Sequence, residues 1–185
     1  NSSSGSCCVS VWLDQSTSVA HIGWLGDSVA LLLGVDQTGD RILTESHNCD
    51  NSEEIDRVKS EGGMVILVKG EPRINGLLPI TRAFGDVALK PPLSGNVQLL
   101  DVPYNDNSDF MLVLASDGLT DSLSLSQISQ HVRTYVSQHT ERDIEHCLAE
   151  SLCEEAKLAG SCDNITVLVI FLVPLSLIKS HMSLS

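Results

Sequence analysis

Residues 110–124 read FMLVLASDGLTDSLS. Six apolar residues run without a break and stop at a polar knot that holds Asp117 and Asp121, four positions apart. A continuous apolar run of this length, closed by a turn signal, is the pattern of a buried strand. Asp-Gly provides the turn, because Asp hydrogen-bonds its own backbone and Gly tolerates positive φ.

Working outward from that strand, SLSQISQHVRTYVSQH places Ile128, Val132, Tyr135 and Val136 at helical spacing behind a Ser124…Gln127 capping pattern. A Thr140…Asp143 box opens a second helix, with Ile144, Leu148, Leu152 and Ala156 on one face and Gly160 at its stop. A last strand is expected over residues 165–173. Toward the amino terminus, CCVSVWL, SVAHIGWL and VALLLGV read as a meander of strands broken by DQSTS and by Gly26-Asp27. NSEEIDRVKSEGG reads as a short capped helix from Asn51 to the stop at Gly62-Gly63. Residues 91–109 hold three of the six prolines, so they are expected as surface loop with one short edge strand at 97–100. Strands in two runs, with helices segregated between them, indicate an α+β layered sandwich.

The chain of 185 residues, 42% hydrophobic, has the length of one domain with a real core. Its formal charge of −13 repels phosphate backbones and anionic lipid heads, which argues against a nucleic-acid partner. Six cysteines without a Cys-x-x-Cys pair read as reduced thiols. NSSSGSCC has no charged start or apolar core of a signal or transit peptide, so the expected location is intracellular, cytoplasmic or nuclear. ITVLVIFLVPLSLI is shorter than the roughly 18 apolar residues of a membrane span and is interrupted by Pro174, so it reads as a buried strand. Trp12 and Trp24 sit in apolar strands and are expected in the core.

Three short stretches set an Asp against the end of an apolar strand. Asp27 lies in a turn between two strands, Asp117 just after one strand, and Asp163 just before another. If the strands at 110–115 and 165–173 run antiparallel, Asp117 and Asp163 share one rim of the sheet. Carboxylates gathered there repel unless a cation sits among them, and hard oxygen donors suit Mg2+ or Mn2+ better than Zn2+. Asp121 adds a donor one turn past Asp117. Taken singly, each of these sites is more often a turn than a ligand; together at strand ends they point to a metal site.

With these residues in view, the chain resembles the metal-dependent protein serine/threonine phosphatases, the PPM or type 2C family. SGSCCVSVWL, VAHIGWLGDSVALLL, DRVKSEGGMV, RINGLLPITRAFGD, LVLASDGLTDSLS and GSCDNITVLVIF carry the likeness, in the family's order. HIGWLGDS, GDVALKPPLSG and NITVLVIFLVP lean toward the calcium/calmodulin-dependent protein kinase phosphatase branch. The resemblance implies an αββα sandwich of antiparallel sheets flanked by helices, incomplete on its amino-terminal side, over residues 1–173, with 174–185 a short tail. It implies Asp117 and Asp163 as ligands of a pair of Mn2+ or Mg2+ ions, and Asp27 and Asp121 as ligands of a third, weaker one. It implies hydrolysis of phosphoserine and phosphothreonine in protein substrates by a metal-activated water. The family's Asp-Gly-His-Gly-Gly motif, whose Asp bridges both metals, has no counterpart in the 185 residues. The chain by itself is therefore expected to be inactive, and a non-catalytic, degenerate binding or regulatory domain is the alternative. Val29 after Gly-Asp-Ser and ESHNCDN in place of a His-Lys/Arg-Pro stretch are further departures. Arg82 and Asp86 are expected to form an internal pair bracing a loop, and the six scattered histidines to have no ligand role.

Overall fold

The computed structural model describes residues 4–105 and 108–182. In chain order, β1 (Gly5–Ser6), β2 (Cys8–Asp14), β3 (Val19–Leu25), β4 (Val29–Gly34) and β5 (Arg41–Ile42) precede the helix α1 (Ser52–Ser60). The middle of the chain forms β6 (Val65–Val68), β7 (Glu71–Ile74), β8 (Phe84–Gly85) and β9 (Gln98–Pro103). Then come β10 (Asp109–Ala115), the helices α2 (Asp117–Thr120), α3 (Leu125–Gln138) and α4 (Glu141–Leu158), strand β11 (Val167–Phe171) and helix α5 (Leu175–Met182). The fold is α+β, as expected, with antiparallel pairing of β1 with β8, β10 with β11 and β4, β4 with β5, and β6 with β7. The chain divides into two compact units, one drawn from Asn1–Val11, Ile22–Ser28 and Glu45–Leu100, the other from Trp12–His21, Val29–Thr44 and Asp101–Ser185.

The second unit is built on a four-stranded sheet in the order β11, β10, β4, β5. Strands β4 and β10 are buried at every position, which is why their sequences read as unbroken apolar runs and not as alternation. Val29, Leu31, Leu33, Val113 and Ala115 pack on the face that meets α3 and α4, through Ile128, Val132, Val136, Ile144, Leu148, Leu152 and Ala156. The register between β10 and β4 shifts between Asp109 and Met111, and this bulge sends both Phe110 and Met111 into the same core. Both expected capping boxes are formed, Ser124 with Gln127 and Thr140 with Asp143. Arg133 of α3 ties the helix to the end of β4: it donates to Val35 O at 2.7 Å, Gly34 O at 2.8 Å and Asp40 Oδ1 at 3.2 Å.

Two expectations need correcting here. Trp12 is 71% exposed, because it shares a face of β2 with exposed Ser10 while Val11 and Leu13 point the other way. Trp24 is buried, with its indole N–H donating to Glu45 O at 2.8 Å. The segment after residue 173, expected as a tail, continues as α5, whose Leu175 and Ile178 lie in the core with Val173. Pro174 just before the helix fits this, since proline is tolerated at a helix start.

In the first unit, Asn51 caps α1 by accepting from the N–H groups of Glu53 and Glu54. Val58 of α1 joins Cys49, Ile74, Ala83 and Leu93 in a small core. The β6–β7 hairpin turns on Lys69 and Gly70, both at positive φ, with φ values of 54° and 92°. No disulfide forms among the described residues, and none of their helices is long and apolar enough to cross a membrane.

The burial of α5 carries a test. Ile178→Ala should lower unfolding stability by about 2–4 kcal/mol, as truncation of a fully buried aliphatic side chain does, whereas Leu177→Ala, at a partly exposed position, should cost under about 1 kcal/mol. Urea denaturation measures both; equal small effects would show that α5 is no part of the core.

Candidate metal centre

β10 and β11 are antiparallel, with Ala115 opposite Val167 and Met111 opposite Phe171. The carboxyl end of one strand and the amino end of the other therefore share a sheet end, as the sequence reading expected. Asp117 begins α2 directly beyond β10, and Asp163 lies in the loop that enters β11. Ser116 fastens the two segments together: its N–H donates to Thr166 O, its hydroxyl donates to Asn164 O, and Thr166 N–H donates back to that hydroxyl, each at 3.1 Å. Ser161 Oγ donates to Gly118 O at 2.7 Å, a second tie across the same gap. Gly118 is required for this closeness, because a Cβ there would sit 2.7 Å from Asn164 O.

Each carboxylate is oriented by the amide that follows it. Gly118 N–H donates to Asp117 Oδ1 at 2.9 Å, and Asn164 N–H to Asp163 Oδ1 at 2.6 Å. Asp121 closes α2, its N–H donating to Asp117 O at 2.8 Å. Asp121 and Asp163 line one open cleft of about 480 Å3, with Ser122 and residues 159–162 around it. These donors are hard oxygens, the chemistry that holds Mg2+ or Mn2+. Among the described residues no three His, Cys, Asp or Glu side chains come together closely enough to hold an ion by themselves. Donor type thus fits such a cation, while the number of donors falls short of its shell.

Asp27 belongs to the other unit, in the turn between β3 and β4. The preceding Gly26 has a φ of 97°, which only glycine adopts without strain. Its N–H donates to His47 Nδ1 at 3.2 Å, and its carbonyl accepts from His47 N–H at 2.9 Å. His47 Nε2–H donates to Gln98 Oε1 at 2.8 Å, and the ring stacks on Trp24. Burial pushes the His47 pKa down, aided by the nearby Arg82 and Arg57 charges, so the ring is held neutral.

Beside His47, a cavity of about 370 Å3 is lined by Glu45, Asn51, Glu53, Glu54, Arg82 and residues 97–99. Its wall is an ionic network centred on buried Glu54. Arg82 Nη2 donates to Glu54 Oε1 at 2.6 Å, Arg57 Nη2 to Oε2 at 2.9 Å, and Thr81 Oγ1 to Oε2 at 2.6 Å. Arg57 also reaches Thr81 O and Pro92 O, so this one ion network braces α1 against two loops. Arg82 therefore pairs with Glu54, correcting the expected pair with Asp86. Sequence spacing could not have found this partner, which stands 28 positions away. The role of His47 is hidden from the sequence in the same way, since its ring partners, Gly26 and Gln98, stand 21 and 51 positions away.

A family model described as Protein phosphatase 2C matches residues 1–165. Protein phosphatase fem-2 of Caenorhabditis elegans is 33% identical over 170 residues, covering 92% of this chain and 37% of that protein. Protein phosphatase 1F of Mus musculus is 35% identical over 161 residues, covering 86% of this chain and 34% of that protein. The chain thus spans roughly a third of the length of these relatives. Among solved structures, a C. elegans sex determining protein superposes with a TM-score of 0.90 at 31% identity, over 96% of this chain and 43% of that one. Serine-threonine phosphatase 2C from Toxoplasma gondii superposes with a TM-score of 0.74 at 25% identity, over 90% of this chain and 58% of that one.

The Glu54 network sets a pH dependence. Burial alone would raise this carboxyl, but the hydrogen bonds from Arg82, Arg57 and Thr81 outweigh it and lower the pKa from 4.5 to about 2. A depressed folded-state pKa gives stability that is fully present above the unfolded value and is lost as pH falls through the folded one. Stability should therefore decline by roughly 3 kcal/mol between about pH 4.5 and 2 from this residue. Glu54→Gln, measured by denaturation across that range, should be less stable at pH 7 and should lose that part of the acid-limb slope; an unchanged slope would contradict the assignment.

Proposed function

The chain belongs to the protein phosphatase 2C family, and on that footing we propose that in the full-length protein it supplies the later-sequence half of a metal centre that hydrolyses phosphoserine and phosphothreonine in proteins. The observation that carries this reading is the antiparallel register of β10 and β11, with Ser116 fastening the Asp117 and Asp163 segments at one sheet end. Proteins of this family are metal-dependent, and the hard donor set here favours Mn2+ or Mg2+.

When bound, a pair of such ions supplies a water that ionises near neutral pH and positive charge against the attacked phosphorus. Asp117 and Asp163 would hold the pair. One oxygen of each already accepts from the following amide, which limits carboxylate rotation and leaves the ligand geometry prepared. Asp121 and Asp27 would hold a third, weaker ion. No covalent phosphoenzyme is needed, and the Cys162 thiol donates to Gly160 O at 3.5 Å. The net charge of −13 disfavours nucleic acids as substrates. The segments HIGWLGDS and GDVALKPPLSG keep the calcium/calmodulin-dependent protein kinase phosphatase branch as the finer reading, and the thiol content keeps an intracellular location.

A second reading, a non-catalytic relative that keeps the fold for binding, draws on the absence of an Asp-Gly-His-Gly motif in these residues and on the incomplete donor set among those described. The two separate on metal binding. In the full-length protein, Asp117→Asn and Asp163→Asn should each weaken Mn2+ binding at least tenfold, about 1.4 kcal/mol, and slow hydrolysis of a phosphothreonine peptide in parallel. Calorimetry showing unchanged affinity in both variants would overturn the ligand assignment.

Residues 1–185 alone should hydrolyse no phosphothreonine peptide with Mn2+, because one half of a two-metal site cannot fix both ions. Turnover by this chain that disappears in Asp163→Ala would show that another of its residues completes the site.

A further inference from the structure

His47 is a buried polar side chain, 1% exposed, and four hydrogen bonds fix its backbone and ring. Its backbone N–H donates to Gly26 O at 2.9 Å and its carbonyl accepts from Thr81 N–H at 2.8 Å. On the ring, Nδ1 accepts from Gly26 N–H at 3.2 Å while Nε2–H donates to Gln98 Oε1 at 2.8 Å. The Trp24 indole lies nearly parallel to it, 6.0 Å between centroids at 6°, and that indole is itself anchored to Glu45 O. One residue thus grips both polar groups of Gly26, from 21 positions away in sequence.

The gripped residue immediately precedes Asp27. Gly26 has little freedom of its own: its φ is 97°, and Cys7 occupies the space a Cβ would need, with Cys7 Cβ 2.6 Å from that point. The direction in which the chain delivers Asp27 therefore depends on the two hydrogen bonds to His47 and on the packing of Cys7. We propose that His47 is a positioning residue for the Asp27 carboxylate, its Nδ1 serving as a fixed acceptor and Gln98 holding the tautomer that makes it one. Both ring nitrogens are engaged, by Gly26 N–H and Gln98 Oε1, so the ring acts through the Gly26 peptide. This inference rests on the reading of Asp27 as a ligand of the weaker ion.

The geometry separates this role from simple packing. An asparagine at position 47 keeps an oxygen acceptor near the place of Nδ1, whereas a glutamine keeps a donor near Nε2 and removes the acceptor from Gly26 N–H. Both leave a similar gap beneath Trp24, so a purely structural role predicts similar losses. In the full-length protein, His47→Gln should raise the Mn2+ concentration for half-maximal turnover of a phosphothreonine peptide about tenfold, equivalent to about 1.4 kcal/mol, with a smaller effect on kcat at saturating Mn2+. His47→Asn should restore that concentration to within about threefold of the wild type. Two readouts besides activity accompany it: amide hydrogen exchange at Gly26 should speed up in His47→Gln and be slowed again in His47→Asn, and calorimetric titration with Mn2+ should show the weakest binding event weakened in the former alone. Equal shifts in the two variants, or none in either, while Asp27→Asn shifts the Mn2+ dependence, would overturn the positioning role and leave the reading of Asp27 standing. An unshifted Mn2+ dependence in Asp27→Asn would overturn that reading and this inference with it.

Discussion

Strand β10 is buried at all seven positions and paired on both sides, to β4 and to β11. A strand in that position cannot slip by one residue without turning its entire side-chain set over, so its register is strongly determined. The helices α3 and α4 then have one face to cover, and their stripes from Ile128 to Val136 and from Ile144 to Ala156 cover it. What lies beyond the strand's end follows from the same constraint. Because β10 and β11 are antiparallel, the chain leaves the core at Ser116 and re-enters it at Thr166 within one hydrogen bond. Asp117 and Asp163 are thereby delivered to one sheet end by apolar packing, against their mutual repulsion.

The first unit solves its organisation differently. Its apolar cluster is small, and the segments around it are tied by polar residues: Glu54 between two arginines, and His47 between Gly26 and Gln98. Buried polar networks of this kind are worthwhile only when each member is satisfied. That condition is met, for no buried side-chain nitrogen or oxygen among the described residues lacks a partner. The desolvation that such a network costs is offset only because each charge is hydrogen-bonded by partners in good geometry. The Gly26-Asp27 turn is one of the segments held in this way.

How much of this the sequence disclosed depends on whether the signal was local. The boundaries of α3 and α4 were legible because capping boxes and apolar spacing lie within each helix. The shared rim of Asp117 and Asp163 was legible because it needs only strand direction. The β6–β7 hairpin escaped notice, since its Lys-Gly turn lacks the Asn-Gly or Asp-Gly signature and Pro72 weakens the strand pattern. Trp12 lies in an apolar strand, which suggests burial, although Ser10 two residues before it marks that strand face as exposed. Arg82 with Glu54 and His47 with Gly26 are contacts between distant segments, and no spacing rule reaches them.

Strand register, set by apolar packing, is proposed to bring Asp117 and Asp163 to one metal centre. Paramagnetic broadening of backbone amides tests it directly. On titration of the isotope-labelled full-length protein with substoichiometric Mn2+, the amides of Gly118 and Asn164 should broaden first and together, since each donates to one of the two carboxylates. Broadening that reaches only one of them, or that begins around Glu53 and Glu45 at the other cavity, would contradict the account.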